Sequence, residues 1–258
     1  MQGQTERLSD SSIVAHAFEY KWLKDALVPL QNPVGENITY DKKEGCAVTR
    51  ETDAHTYLKE HVLGAACYGH TNMVPKFCES YIEQTKTDVV AVHAAKGSTV
   101  VGQWLPGTPG YDMVVEKSLG AIRKAQETGE LGLIYFVWLQ GESDACQKCP
   151  KEVYKEQLRK LGAGLKKDLG IEKFGVIRVG RFSNDEGDLE IMAAQDEVCE
   201  EEEDFVMLTR ITTQLNEIQE YMSPEFAGHY SAKGLEKLGE VAGKALGEQA
   251  CLDRFRKN

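Results

Sequence analysis

Three short segments hold the side chains best suited to chemistry. Gln140-Gly-Glu142-Ser-Asp144 sets one carboxamide and two carboxylates within five residues. His229-Tyr-Ser231 brings an imidazole, which titrates near neutrality and can move a proton, to the front of the last helical pattern. Ala95-Lys-Gly97-Ser-Thr99 is a turn of small residues able to present backbone N–H groups to negative charge. A fourth segment, Cys146-Gln-Lys-Cys149, has the CxxC spacing of a zinc or redox site. Zinc wants a second Cys or His pair at matching spacing, and none is present, so no metal is expected. No helix reads as starting between the two cysteines and Pro150 follows them, which speaks against a thioredoxin-like centre.

These segments need a scaffold that brings them to one place. From residue 86 onward, short β-branched apolar runs alternate with longer amphipathic stretches, the pattern of a parallel sheet flanked by helices. Strands are predicted over 88–93, 133–138, 174–179 and 205–208. Helices are predicted over 112–128, 151–169, 188–203 and 232–249, with Pro150 near the first turn of the second and Gly170 closing it. The first 65 residues read as loop-rich, punctuated by Pro29, Pro33 and Gly35. No repeat or linker appears, so residues 1–258 read as one domain. In open α/β sheets ligands bind beyond the carboxyl ends of the strands, and the Gly97, Gln140 and His229 segments stand just after a strand or just before the last helix.

Composition narrows the partners. Thirty basic against 41 acidic residues leave a net charge of −11, which disfavours a nucleic-acid phosphate backbone as partner. No apolar run reaches the roughly 20 residues of a membrane span, so no membrane partner is expected. The seven cysteines are an odd, scattered set that fits a reducing compartment. As written, the chain reads as cytoplasmic. The acidic run 200–204 reads as a solvated helix end.

Trp138-Leu-Gln140-Gly-Glu142-Ser-Asp144 resembles the WxQGESD block of the carbohydrate esterase family 6 and sialate O-acetylesterase-like branch of the SGNH (GDSL-type) hydrolases. Other blocks follow in order. Gly69 to Phe77 resembles the family's glycine-led turn into a helix, 94–104 its A-x-GG-x-x-x-x-W segment, and His229-Tyr-Ser-Ala-Lys-Gly234 its histidine block. Phe18 to Gly35 is similar to the variable stretch after the nucleophile. The resemblance implies an α/β fold, a flavodoxin-like three-layer α/β/α sandwich with a central parallel sheet. It also implies removal of acetyl groups from O-acetylated carbohydrates through an acyl-enzyme, without cofactor or metal.

Ester hydrolysis of this kind needs a hydroxyl nucleophile, a histidine to take its proton, an acid to orient the histidine, and donors for the oxyanion. By the resemblance His229 is the base, Glu142 its carboxylate partner, and Gln140 and Gly97 the oxyanion donors. Gln4 and Trp104 are expected to touch substrate, with Tyr111 and Trp22 as further aromatic faces for a sugar. Asp144 reads as a helix or turn cap. The family's nucleophile is the serine of a GQSN motif, and the matching residues here are Gly3-Gln4-Thr5-Glu6, so Thr5 holds its place. Its extra methyl restricts the side chain and crowds the attacking oxygen. The second reading is therefore a catalytically weakened or silent carbohydrate-binding relative. Only Met1 and Gln2 precede the motif, so the apolar strand that should carry the nucleophile is missing, and a truncated start would also have lost any export signal. The Asp that many SGNH enzymes carry three residues before the histidine is replaced by Phe226, with Glu225 one position further back. The imidazole nitrogen facing away from the nucleophile is accordingly expected to bond Glu142 or a backbone carbonyl. Thr5, Gly97, Gln140 and His229 are expected to share one cleft at the carboxyl ends of the strands.

Overall fold

The computed structural model of the chain describes residues 12–22, 24–35, 71–224 and 227–257. Its strands fall into two sets. β1 (Ala17–Lys21) pairs antiparallel with β2 (Ala26–Pro29) and parallel with β3 (Val89–Ala91). β4 (Tyr135–Trp138), β5 (Lys173–Ile177) and β6 (Phe205–Thr209) form a parallel set in that order. Among the described residues β3 and β4 are each paired along one edge only.

Helices cover the strands in two groups. α1 (Val74–Thr85) lies against α7 (Ala232–Lys257), and the pair reaches β3 at one end and β6 at the other. Glycines at 239, 243 and 247, spaced by four, face α1. A Cβ at 243 would stand 2.1 Å from the Phe77 carbonyl oxygen, so only glycine lets the two backbones touch. The second group is α2 (Pro109–Thr128), α4 (Lys151–Leu169) and α5 (Glu186–Glu201). α2 packs on β1, β2 and α4, and α5 packs on α4 and β6. Short helices α3 (Glu142–Cys146) and α6 (Thr212–Glu217) fill the loops after β4 and β6. The result is a mixed α/β fold with parallel strands between helices, consistent with the three-layer sandwich of the SGNH type.

The core follows from which side chains these elements turn inward. Trp138, Phe174 and Phe205 carry a chain of aromatic contacts across β4, β5 and β6, with Phe174–Phe205 centroids 4.7 Å apart. Leu158, Leu161 and Leu165 of α4 and Ile191, Ala194 and Val198 of α5 are fully buried against them. Outside, Lys151, Lys155 and Arg159 of α4 form ion pairs with Glu197, Glu201 and Glu202, most of them on α5. The acidic run that begins at Glu200 thus starts as one side of this ladder, and Asp204 pairs with Lys166.

One sequence expectation fails in the fold. The stretch around Phe18 to Leu30, expected to be loop, is the β1–β2 hairpin. Its signal is inverted, because Phe18 is exposed while Glu19 is buried, held by Lys21 at 2.6 Å and by the Gly35 N–H at 2.6 Å.

Candidate active site

The site is built on the turn that leaves β4. Gln140 is buried at this turn, and its Nε2 donates to the Thr99 carbonyl at 2.8 Å and to Asp144 Oδ2 at 2.5 Å. Both amide hydrogens are therefore engaged within the protein. Gln140 thereby ties the Gly97–Thr99 turn to the β4 turn. Its Oε1 is buried without a hydrogen-bond partner among the described residues. Gly97 is half-buried in the adjoining turn, where the next residue, Ser98, has φ +59°.

Asp144 lies within α3, whose N-cap is Gly141, and its side chain bonds outside the helix. Only 2% exposed, it accepts the Val101 N–H at 3.0 Å as well as Gln140 Nε2, so a carboxylate on α3 anchors the segment that follows Gly97. Burial raises its pKa above the ordinary carboxylate range, against the lowering effect of the Gln140 and Val101 hydrogen bonds. Behind the turn, the Gln140 carbonyl accepts from Tyr154 Oη at 2.9 Å and from Gln195 Nε2 at 2.8 Å. Gln195 also donates to Tyr154 Oη at 2.8 Å and accepts the Val179 N–H at 2.9 Å. Gly141 has φ +153°, and a Cβ there would stand 2.7 Å from Ile191, so the turn closes directly onto α5.

The histidine segment meets this turn from the other side. His229 is exposed, and its Nδ1 lies 3.1 Å from the Ala227 carbonyl. Glu142 is half-buried and makes no hydrogen bond to His229. Tyr230, the next residue, has its pKa raised by burial first and by the charge of Glu142 second. Phe182, in the loop after β5, meets the His229 ring edge-on with centroids 6.2 Å apart. In the same loop Ser183 Oγ lies 3.8 Å from Cys146 Sγ. The Gly97 turn thus adjoins the Gln140–Asp144 block, and the loop after β5 meets both His229, at Phe182, and Cys146, at Ser183.

Gln4 and Thr5 are outside the described residues, as are Glu225 and Phe226. Trp104 is a core residue, 5% exposed, edge-on to Trp138 with its Nε1 donating to Thr99 Oγ1 at 3.0 Å. Tyr111 and Trp22 are buried as well, with their polar atoms bonded to Asp168 and Glu116. The aromatic residue that does stand at the site is Phe182, which sequence reasoning passed over although it follows a predicted strand by three residues. Gln195 was equally unmarked, its one signal being a carboxamide on the apolar Ile191–Ala194–Val198 face of a helix. Among the described residues, no group of three or more His, Cys, Asp or Glu side chains is placed to hold a metal ion, and no helix is long and apolar enough to cross a membrane.

Comparison with known proteins decides the family. A model of the carbohydrate esterases described as sialic acid-specific acetylesterase matches residues 49–247, which include Gly97, Gln140, Glu142 and His229. The chain belongs to this family. As a carbohydrate esterase it is a carboxylic ester hydrolase by kinship, and Thr5 lies ahead of the matched span. The esterase chain also superposes on the crystal structure of an Arabidopsis thaliana protein with a TM-score of 0.60. That likeness, at 16% identity over 93% of this chain and 82% of the other, is one of fold. No protein among the curated ones matches it.

Proposed function

We propose that this esterase removes acetyl groups from O-acetylated sugars, with His229 as general base, the Thr5 hydroxyl as nucleophile and the Gly97 N–H as a donor to the oxyanion. One observation supports the reading: the Gly97 turn is tied through Thr99 to Gln140, and the loop that carries Phe182 and Ser183 meets both His229 and Cys146, the last residue of the helix that begins at Glu142. Acyl transfer needs a base and a backbone donor near each other, and the reading assigns those roles to His229 and Gly97. In this scheme Gln140 and Asp144 hold the donor turn in place, and Glu142 supplies negative charge beside the histidine loop. The reaction runs in two steps. His229 takes the Thr5 proton as the oxygen attacks the acetyl carbonyl, the sugar alcohol leaves with that proton, and water then releases acetate by the same route.

The test is steady-state hydrolysis of 4-nitrophenyl acetate and of an acetylated sugar by wild type, Thr5→Ser, Thr5→Ala and His229→Ala. His229→Ala is expected to lose about 10²- to 10⁴-fold. Thr5→Ser is expected to gain, because it deletes the crowding methyl and keeps the hydroxyl. Thr5→Ala as active as wild type would refute the nucleophile. Activity in Thr5→Ser alone would favour the carbohydrate-binding relative.

A further inference from the structure

Phe182 is set apart from the other aromatic residues by where it meets water. Trp22, Trp104, Trp138 and Tyr111 are buried, whereas Phe182 is 36% exposed in the loop after β5. Phe18 and Phe255 are exposed too, on β1 and in the last turn of α7, but among the described residues only the Phe182 ring meets that of His229, with centroids 6.2 Å apart. The loop is fastened on both sides of this ring. The Arg181 N–H donates to Asn216 Oδ1 at 2.7 Å, and the Asn184 N–H donates to the buried Asp188 carboxylate at 2.6 Å, which also accepts from Ser183 Oγ at 3.2 Å. Gly228 backs the ring: a Cβ there would stand 2.3 Å from two ring carbons, and its φ of +75° favours glycine as well. Asn216 also donates to Met222 Sδ at 3.6 Å, and Met222 bridges Tyr230, so one side chain joins the Phe182 loop to the histidine segment. Covering exposed aromatic carbon with a ligand is favourable, and a ring already held in place loses little freedom when covered.

Proton transfer dictates what must lie beside the histidine. When the acyl-enzyme forms, the imidazolium gives its proton to the leaving sugar oxygen, which needs about 2.6–3.2 Å between nitrogen and oxygen. The carbon bearing that oxygen, and the sugar ring behind it, then lie along a surface that flanks the imidazole. A pyranose suits an aromatic flank, because its axial C–H bonds give it an apolar face. Taking His229 as the base of the esterase proposed above, we propose that Phe182 is the platform for the sugar and packs on the apolar face of the pyranose that carries the acetyl ester. The loop after β5 thereby sets affinity for the carbohydrate, while acetyl transfer itself belongs to other residues.

The experiment compares an ester that carries a sugar with one that does not. For methyl 6-O-acetyl-β-D-glucopyranoside, Phe182→Ala should raise KM about 10-fold and leave kcat within about twofold, the mark of binding lost equally from ground and transition states. Ethyl acetate has no ring to lay on Phe182, and its kcat/KM, followed by pH-stat, should stay within about twofold of wild type. Phe182→Trp, which keeps an aromatic face, should hold the wild-type KM for the sugar ester. Phe182→Leu, which keeps bulk without a flat face, should not. Equal losses on the two esters would show that Phe182 supports the histidine rather than the sugar and overturn the platform. A wild-type KM for the sugar ester in Phe182→Ala would overturn it too. A second readout needs no turnover. Methyl 6-acetamido-6-deoxy-β-D-glucopyranoside, whose amide resists cleavage, is titrated into the protein while aromatic carbon–proton correlation spectra follow Phe182. The Phe182 resonances should shift on binding, and Phe182→Ala should bind the amide about 10-fold more weakly. Binding that leaves these resonances unmoved, or no binding, would overturn the platform whether or not any ester is cleaved. Shifted resonances in a chain that cleaves no ester would support the platform and refute the esterase reading alone.

Discussion

Replacing Gln195 by methionine keeps the length and bulk of the side chain and removes its polar atoms, which isolates what its hydrogen bonds contribute. Gln195 is fully buried and bonds three groups: the Gln140 carbonyl, Tyr154 Oη and the Val179 N–H. These do not suffer equally. The Gln140 carbonyl keeps the Tyr154 hydroxyl at 2.9 Å, and Tyr154 Oη keeps Trp138 Nε1 at 3.3 Å, so each retains one partner. The Val179 N–H is left unsatisfied in the interior, at a cost of about 1–3 kcal/mol, and each shared bond adds roughly 0.5–1.5 kcal/mol less the desolvation that methionine avoids. A net destabilisation of about 2–4 kcal/mol follows, or a Tm lower by about 5–12 °C for a chain of this size. Gln195→Glu should behave differently. At neutral pH it buries a charge facing the Gln140 carbonyl and should cost more than methionine, whereas in acid the protonated carboxyl can donate again and stability should partly return. Urea unfolding of the three proteins at neutral and acid pH, with amide hydrogen exchange at Val179, checks both. If Gln195→Met unfolds within about 1 kcal/mol of wild type and the Val179 amide stays as protected, the network does not hold the two strand ends together.

Two further outcomes follow from burial. Because burial raises the Asp144 pKa in the folded state, its stabilising contribution belongs to the protonated form and is lost as pH rises from the ordinary carboxylate range through the raised value. The stability of wild type relative to Asp144→Asn, measured by urea unfolding across that range, should fall with rising pH, and a flat difference would contradict it. Cys78 and Cys199, whose thiols burial pushes up to about 12, should be alkylated far more slowly in the native protein than the exposed Cys146 and Cys251. Timed iodoacetamide labelling with peptide mapping reads this directly, and comparable rates would refute it.

How much of this could be read in advance depends on the kind of signal. Lys151–Leu169 was legible to the residue, because its apolar spacing is regular and Gly170 closes it in the left-handed conformation at φ +66°. α5 begins two residues earlier than its apolar pattern suggests, since Asp185 accepts the Gly187 N–H and caps it there. The predicted strands outrun the observed ladders: 88–93 runs past the last paired residue, Ala91, and 133–138 begins on the apolar Leu133 and Ile134 ahead of the first, Tyr135. The β1–β2 hairpin stayed hidden because a buried ion pair at Glu19 breaks the alternation. At the site, Gly97, Gln140, Glu142 and His229 were visible as residue types in loops. Their partners were not. That Gln140 would turn its amide inward depends on Thr99 and Asp144 meeting it in space, and that Phe182 rather than Trp104 would stand at the histidine depends on packing that no local pattern encodes.

The turn after β4 has one more implication. Gln140 and Asp144 look inward, the Gln140 carbonyl is held twice from behind, and Gly141 abuts α5, so this segment has little freedom to reshape around a different ligand. Change in what the protein recognises is then easier to introduce in parts whose side chains face water, such as 181–185 between β5 and α5. For anyone redesigning the esterase, this divides the molecule into a portion to randomise and a portion to leave alone: libraries belong in the exposed loop, and mutations behind Gln140 cost stability.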